Sequence, residues 1–156
     1  MKRRGQIDVA VVGGGVVGAA CALVLAQEGL QVALVEGRVP ARWSADEPDL
    51  RVYAFAPDNA ALLDGAGVWN AVREARAQPY RRMRVWDAAG GGELAFDADA
   101  LGRVQLGWII ENALLADRLW AALPGAGVQV HAPARGEAME QDGDGVKLRL
   151  DGGTRL

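Results

Sequence analysis

The sequence predicts an α/β fold in which a parallel sheet is interrupted by antiparallel β insertions, and three observations carry that expectation. Residues 8–36 run through a short apolar segment, a glycine cluster, an all-apolar stretch and a second apolar segment, the order of strand, turn, helix and strand. Arg82–Asp87 and Glu93–Asp97 alternate apolar and polar residues on either side of a glycine tract, the pattern of a hairpin. Leu115, Leu119 and Leu123 recur at four-residue spacing between the apolar runs Trp108–Ile110 and Val128–Val130, so a helix links two more strands.

Taken in order, Asp8-Val9-Ala10-Val11-Val12 reads as a buried parallel strand. It runs into Gly13-Gly14-Gly15-Val16-Val17-Gly18. Ala19 to Ala26 are all apolar, which predicts a helix buried between layers and ended by Gly29. Val32–Val35 is a second strand finishing at Glu36. A polar stretch with Pro40, Asp46, Glu47, Pro48 and Asp49 then leads to Arg51. A helix is expected from Pro57 or Asp58, with Pro suiting a first turn and Asp a cap, carrying Leu62 and Leu63 and stopping at Gly65. A short helix follows with Val68, Trp69 and Val72. In the hairpin, Met83 and Val85 answer Leu94 and Phe96 across Ala88-Ala89-Gly90-Gly91-Gly92. A last hairpin turns at Asp142-Gly143-Asp144-Gly145, with Val146, Leu148 and Leu150 on one face. No twelve-residue ligand loop follows that turn, so it does not read as a calcium site.

The glycine cluster carries the chemistry. Gly13 allows a sharp turn out of the first strand, Gly15 has no side chain to keep a pyrophosphate from the backbone, and Gly18 lets the helix pack on the strand. The amides near Val16 and Val17 are first-turn donors aimed at an anion and reinforced by the helix dipole. Glu36, at the end of the second strand, can accept hydrogen bonds from adenosine ribose hydroxyls, and its charge would repel a 2′-phosphate. Strand, glycine turn, helix and acidic strand end stand at the spacing of an adenine-dinucleotide site, with Gly14 inside the same turn. A nicotinamide domain would keep alternating helix and strand after Glu36. The antiparallel insertions point to a flavin nucleotide instead.

The rest of the inventory excludes other chemistries. The 156 residues hold one Cys (Cys21), one His (His131), one Ser (Ser44), one Thr (Thr154) and two lysines (Lys2 and Lys147). A metal site needs more His and Cys than that, so none is expected. Trp43-Ser44-Ala45 is not a nucleophile elbow, and Lys147 lies on an alternating strand facing solvent. No catalytic side chain is expected, and the chemistry falls to a bound cofactor. Net charge is −3 with acids and bases interspersed, which gives no reason to expect nucleic acid. The basic start Met1-Lys2-Arg3-Arg4 has no apolar core after it, so a cytoplasmic chain is expected rather than a secreted one. Cys21 is expected buried in its helix, and His131 at the surface. Arg73, Arg76, Arg81, Arg82 and Arg84 form a loose basic cluster, mostly solvated, that could face an acidic lipid surface or a partner. The tryptophans read as core or hairpin packing, with Trp86 or Trp108 as candidates for a substrate side.

Longer stretches carry a resemblance. Asp8–Gly15, Asp49-Leu50-Arg51-Val52-Tyr53-Ala54, Gly67-Val68-Trp69, Pro79-Tyr80-Arg81-Arg82-Met83-Arg84-Val85-Trp86-Asp87 and Ile110-Glu111-Asn112 resemble the ubiquinone-biosynthesis hydroxylases. These belong to the para-hydroxybenzoate-hydroxylase-like flavin monooxygenases. The resemblance implies a Rossmann-like FAD-binding domain with antiparallel β insertions. It makes residues 1–156 a partial, truncated form of that domain, with residues 80–108 beginning the substrate-domain sheet. Read alone, Arg51 is a solvated arginine and Asn112 a helix cap; the resemblance makes both contacts of the flavin cofactor. It further implies NAD(P)H as reductant, O2 and a polyprenylated phenol as substrates, and peripheral association with the inner membrane or a ubiquinone-biosynthesis complex. The chain departs from the family at Phe55-Ala56-Pro57-Asp58-Asn59, where serines are usual. It stops at Gly152-Gly153-Thr154-Arg155-Leu156, before the family's Ala-Asp-Gly and Gly-Asp motifs, so hydroxylation by this chain alone is not expected. The alternatives are a flavin oxidase or dehydrogenase, and a nucleotide-binding remnant without catalysis.

Overall fold

The computed structural model describes residues 6–143 and 145–156. The basic start Met1–Arg4 and Asp144 of the last turn lie outside the described residues. In chain order the elements are β1 (Val9–Val12), α1 (Val16–Gln27), β2 (Val32–Val35), β3 (Val52–Phe55), α2 (Pro57–Gly65), α3 (Trp69–Arg76) and β4 (Gln78–Tyr80). They continue with β5 (Arg82–Trp86), β6 (Glu93–Asp97), β7 (Gly107–Glu111), α4 (Asn112–Ala122), β8 (Gln129–His131), β9 (Gly136–Asp142) and β10 (Gly145–Leu150). They fall into two compact units, Met1–Trp43 with Leu115–Leu156, and Ser44–Leu114.

The first unit is built on a parallel sheet in the order β1-β2-β8, with Val9 to Val12 in register with Val32 to Val35. All four residues of the central strand β2 are buried, as its unbroken apolar run requires. Leu115, Leu119 and Leu123 of the α4 segment are fully buried at the spacing that sets them on one face. The β9–β10 hairpin packs Leu148 and Leu150 against Val35. Val146, on the same strand face as Leu148 and Leu150, is 54% exposed because it lies at the turn end of the hairpin.

The first helix corrects one expectation. α1 buries only the stripe of Ala19, Ala22 and Leu23, while Cys21 is exposed and Val17 is 80% exposed. An all-apolar helix does not encode which side meets the sheet, so its composition gave no means of placing Cys21. His131 differs as well. It ends β8 half-buried, and its Nε2 is shielded from solvent with no hydrogen-bond partner among the described residues.

The second unit holds an antiparallel sheet in the order β3-β7-β4, with Val52 to Phe55 opposite Glu111 to Trp108. Strands β3 and β4 were not anticipated from the sequence, because each is short and only partly buried. Gly107 sits where a side chain would overlap the Phe55 carbonyl, which keeps the two strands close. Trp69 of α3 meets Trp108 of β7 edge to face, with ring centroids 4.8 Å apart. Helix α2 begins at Pro57 as expected. Ala56 precedes it as the cap residue, and Asp58 lies in the first turn instead of capping.

The expected β5–β6 hairpin forms, pairing Met83 with Phe96 and Val85 with Leu94 on one face. Its arginines are not free cations. Arg82 bonds Asp97 at 2.9 Å, Arg84 bonds Glu93 through two nitrogens at 2.7 Å each, and Arg81 pairs with Asp99. Arg76 of α3 reaches Glu111 at 2.7 Å. The basic cluster expected from sequence is thus largely neutralised by cross-strand and loop carboxylates. No helix among the described residues is long and apolar enough to cross a membrane.

Candidate functional site

Each unit assembles one group of the expected site residues. In the first, β1 delivers the chain to Gly13, whose φ of +106° only glycine adopts easily, and whose N–H bonds the Val35 carbonyl at 2.8 Å. Gly15 is the residue before α1, extended and without a side-chain cap. A Cβ built on Gly15 meets nothing within 4 Å, so the backbone there faces open space. The first α-helical bond of α1 runs from Ala19 N–H to the Gly15 carbonyl. The amides of Val16, Val17 and Gly18 precede it and have no intrahelical acceptor. Gly18 approaches Gly13 so closely that a Cβ would overlap the Gly13 carbonyl oxygen. The sharp turn at Gly13 and the close approach of Gly18 to the first strand are as expected from sequence.

Glu36 closes the loop from the end of β2. Its Oε2 accepts the Gly14 N–H at 2.6 Å and its Oε1 accepts the Arg38 N–H at 2.9 Å. Each carboxylate oxygen has two lone-pair sites, so both retain capacity for a ribose hydroxyl. A groove of about 430 Å³ opens alongside, lined by Val12, Gly13, Glu36, Arg38, Ala134 and Arg135 among others. Two features were not seen in the sequence. Gly14 is buried, and a Cβ there would meet a Trp120 ring carbon at 2.6 Å and Glu36 Cβ at 2.9 Å. Trp120 Nε1 also donates to the Gly14 carbonyl at 2.7 Å, a contact spanning 106 positions that no local pattern could reveal.

In the second unit, Arg51 and Asn112 come together. The Asn112 N–H bonds the Arg51 carbonyl at 2.8 Å, and the Tyr53 hydroxyl donates to Asn112 Oδ1 at 3.2 Å. The helix-cap reading of Asn112 is corrected. Asn112 is the first residue of α4, and the first-turn amide of Ala113 is taken by Asp49 Oδ2 at 3.0 Å. Asp49 Oδ1 accepts the Arg51 N–H at 2.9 Å, an Asx turn whose sequence signal is Asp two residues before the bonded amide. The Arg51 amide is the main cause holding the Asp49 carboxyl below the ordinary carboxylate range; desolvation opposes it, and the Ala113 amide, the Asn112 side chain and the Arg51 charge add to the lowering. The Arg51 side chain is exposed. Among the described residues no group of three or more His, Cys, Asp or Glu could hold a metal ion.

A parallel strand, a glycine turn stripped of side chains, a helix N-terminus with open amides and an acidic strand end together define a dinucleotide-binding α/β domain. The chain belongs to the FAD binding domain family, whose model matches residues 6–155. It is 40% identical over 148 residues to 3-demethoxyubiquinol 3-hydroxylase of Escherichia coli, covering 94% of this chain and 38% of that protein. It is 36% identical over 153 residues to ubiquinone hydroxylase UbiL of Rhodospirillum rubrum, covering 96% of this chain and 34% of that protein. Among solved structures it resembles a ternary complex of aklavinone-11 hydroxylase with FAD and aklavinone. That likeness has a TM-score of 0.70 at 26% identity and covers 99% of this chain and 32% of that one. The mixed α/β fold and the likeness to ubiquinone-biosynthesis hydroxylases expected from sequence are both borne out. The chain spans well under half the length of the relatives it matches.

Proposed function

We propose that the chain is the FAD-binding part of a flavin-dependent monooxygenase that hydroxylates a polyprenylated phenol in ubiquinone biosynthesis. The observation that carries this reading is the 40% identity to 3-demethoxyubiquinol 3-hydroxylase along 94% of the chain. The FAD pyrophosphate would lie across Gly13, Gly14 and Gly15, against the open amides of Val17 and Gly18 and the positive end of α1. Glu36 would hold the adenosine ribose with its remaining acceptor sites, and its charge disfavours a 2′-phosphate there. Arg51 and Asn112 would contact the flavin side of the cofactor, Arg51 through its exposed guanidinium. Once bound and reduced by NAD(P)H, FAD supplies the oxygen chemistry, with O2 as co-substrate.

The side chains described here bind and orient; none needs to act as a nucleophile. Residues 80–108 would begin the sheet on which the substrate rests. A polyprenyl tail is membrane-soluble, so the whole protein would meet its substrate at the cytoplasmic side of the inner membrane, or receive it from other enzymes of the pathway.

Two measurements test the reading. The chain should bind FAD with quenching of flavin fluorescence, and ADP should compete. The protein containing it should couple NAD(P)H oxidation to one oxygen atom placed on a demethoxyubiquinol-type phenol. Oxidation that yields only hydrogen peroxide with every such phenol would instead favour a flavin oxidase.

A further inference from the structure

Gly14 is gripped on both sides of its α-carbon. Its N–H, part of the Gly13–Gly14 peptide, is held by Glu36 at 2.6 Å, and its carbonyl, part of the Gly14–Gly15 peptide, accepts Trp120 Nε1–H at 2.7 Å. The indole also lies against the α-carbon, where a Cβ would come within 2.6 Å of the ring. In a trans peptide the N–H points opposite to the carbonyl. A Gly14 carbonyl fixed toward Trp120 therefore turns the Gly15 N–H away from the indole. Gly15 is also the glycine with open space before it. Glycine peptides otherwise rotate freely, so a loop of three in a row needs such anchors to present its amides in one direction.

We propose that Trp120 is a positioning residue for the dinucleotide: its indole N–H fixes the Gly14–Gly15 peptide plane so that the Gly15 N–H faces the pyrophosphate. The inference rests on the dinucleotide reading of this loop. It adds a residue far along the chain, on helix α4, whose effect on the cofactor passes through the backbone of Gly14.

The test uses Trp120→Phe, which keeps an aromatic ring and removes the donor. FAD and ADP affinities are measured for wild type and variant well below both melting temperatures, where both proteins are folded. Loss of one hydrogen bond's worth of orientation should weaken both ligands by about tenfold. Because the pyrophosphate is common to the two ligands, the factors should agree. Unchanged affinity in a folded variant, or an effect on FAD alone, overturns the proposal and leaves the dinucleotide reading standing. Wild type that binds neither ligand overturns both. Should the variant not fold, hydrogen exchange of the wild-type indoles decides. The Trp120 indole proton should exchange at least tenfold more slowly than that of Trp86, a side chain 67% exposed, and equal rates overturn the proposal.

Discussion

The amide of Asn112 donates to the carbonyl of Arg51 at 2.8 Å, joining the residue before β3 to the first residue of α4. Asp49 reinforces the junction by accepting both the Arg51 and the Ala113 amides. Asp49→Ala should lower the melting temperature by roughly 2–4 °C, the size of a lost helix cap in a chain of this length, read by calorimetry.

The same carboxyl gives stability a pH dependence of known sign. Its folded pKa lies below the unfolded value, chiefly through the Arg51 amide. Its contribution is therefore complete above the ordinary carboxylate range and is lost as the pH falls through the lowered folded value. Wild type should lose stability on acidification, and Asp49→Asn should show a shallower fall over the same acid range. Parallel curves for the two proteins would refute this.

Gly15 and Gly18 should separate binding from folding. A methyl at Gly15 enters open space, so Gly15→Ala should melt near the wild-type temperature yet bind FAD at least tenfold more weakly. A methyl at Gly18 strikes the Gly13 backbone, so Gly18→Ala should also cost about 1–3 kcal/mol in denaturant titration.

Glu36→Gln keeps the shape but offers one acceptor oxygen where the wild type has two charged ones in use. Charge-assisted bonds are worth about 1.5–3 kcal/mol, so ADP affinity should fall by about tenfold or more, read by calorimetric titration. An equal affinity for ADP would show that the carboxylate serves the loop alone.

Arg76→Ala withdraws a charge-assisted bond from Glu111, a carboxylate only 7% exposed. A loss of about 1–3 kcal/mol is expected in urea unfolding. No such loss is expected at Arg73, which lacks that buried partner.

The parts of this fold legible in sequence are those written in local period and composition. β1, the glycine turn and β2 follow from apolar runs broken by glycines, and the turn at Gly13 and the close packing at Gly18 follow from their spacing. The burial of Leu115, Leu119 and Leu123 follows from their helical spacing. What stayed hidden depends on partners distant in the chain. Trp120 on Gly14 and Asp49 on Ala113 span 106 and 64 positions. The pairing of Arg82 with Asp97 needs the strand register before it can be seen. The exposure of Cys21 is hidden for a different reason: Val16 to Ala26 are all apolar or glycine, so the pattern carries no phase.

That exposed Cys21 gives the protein a ready-made attachment point. It is the sole thiol in the sequence, and it lies one helical turn beyond Val17 on the helix that starts at the glycine loop. A maleimide dye would label the chain at a single defined position, close enough for its emission to report a nucleotide settling nearby. The same accessibility sets a handling rule. Without a reductant, stored protein will join in pairs through this sulfur, and labelling stoichiometry will fall below one.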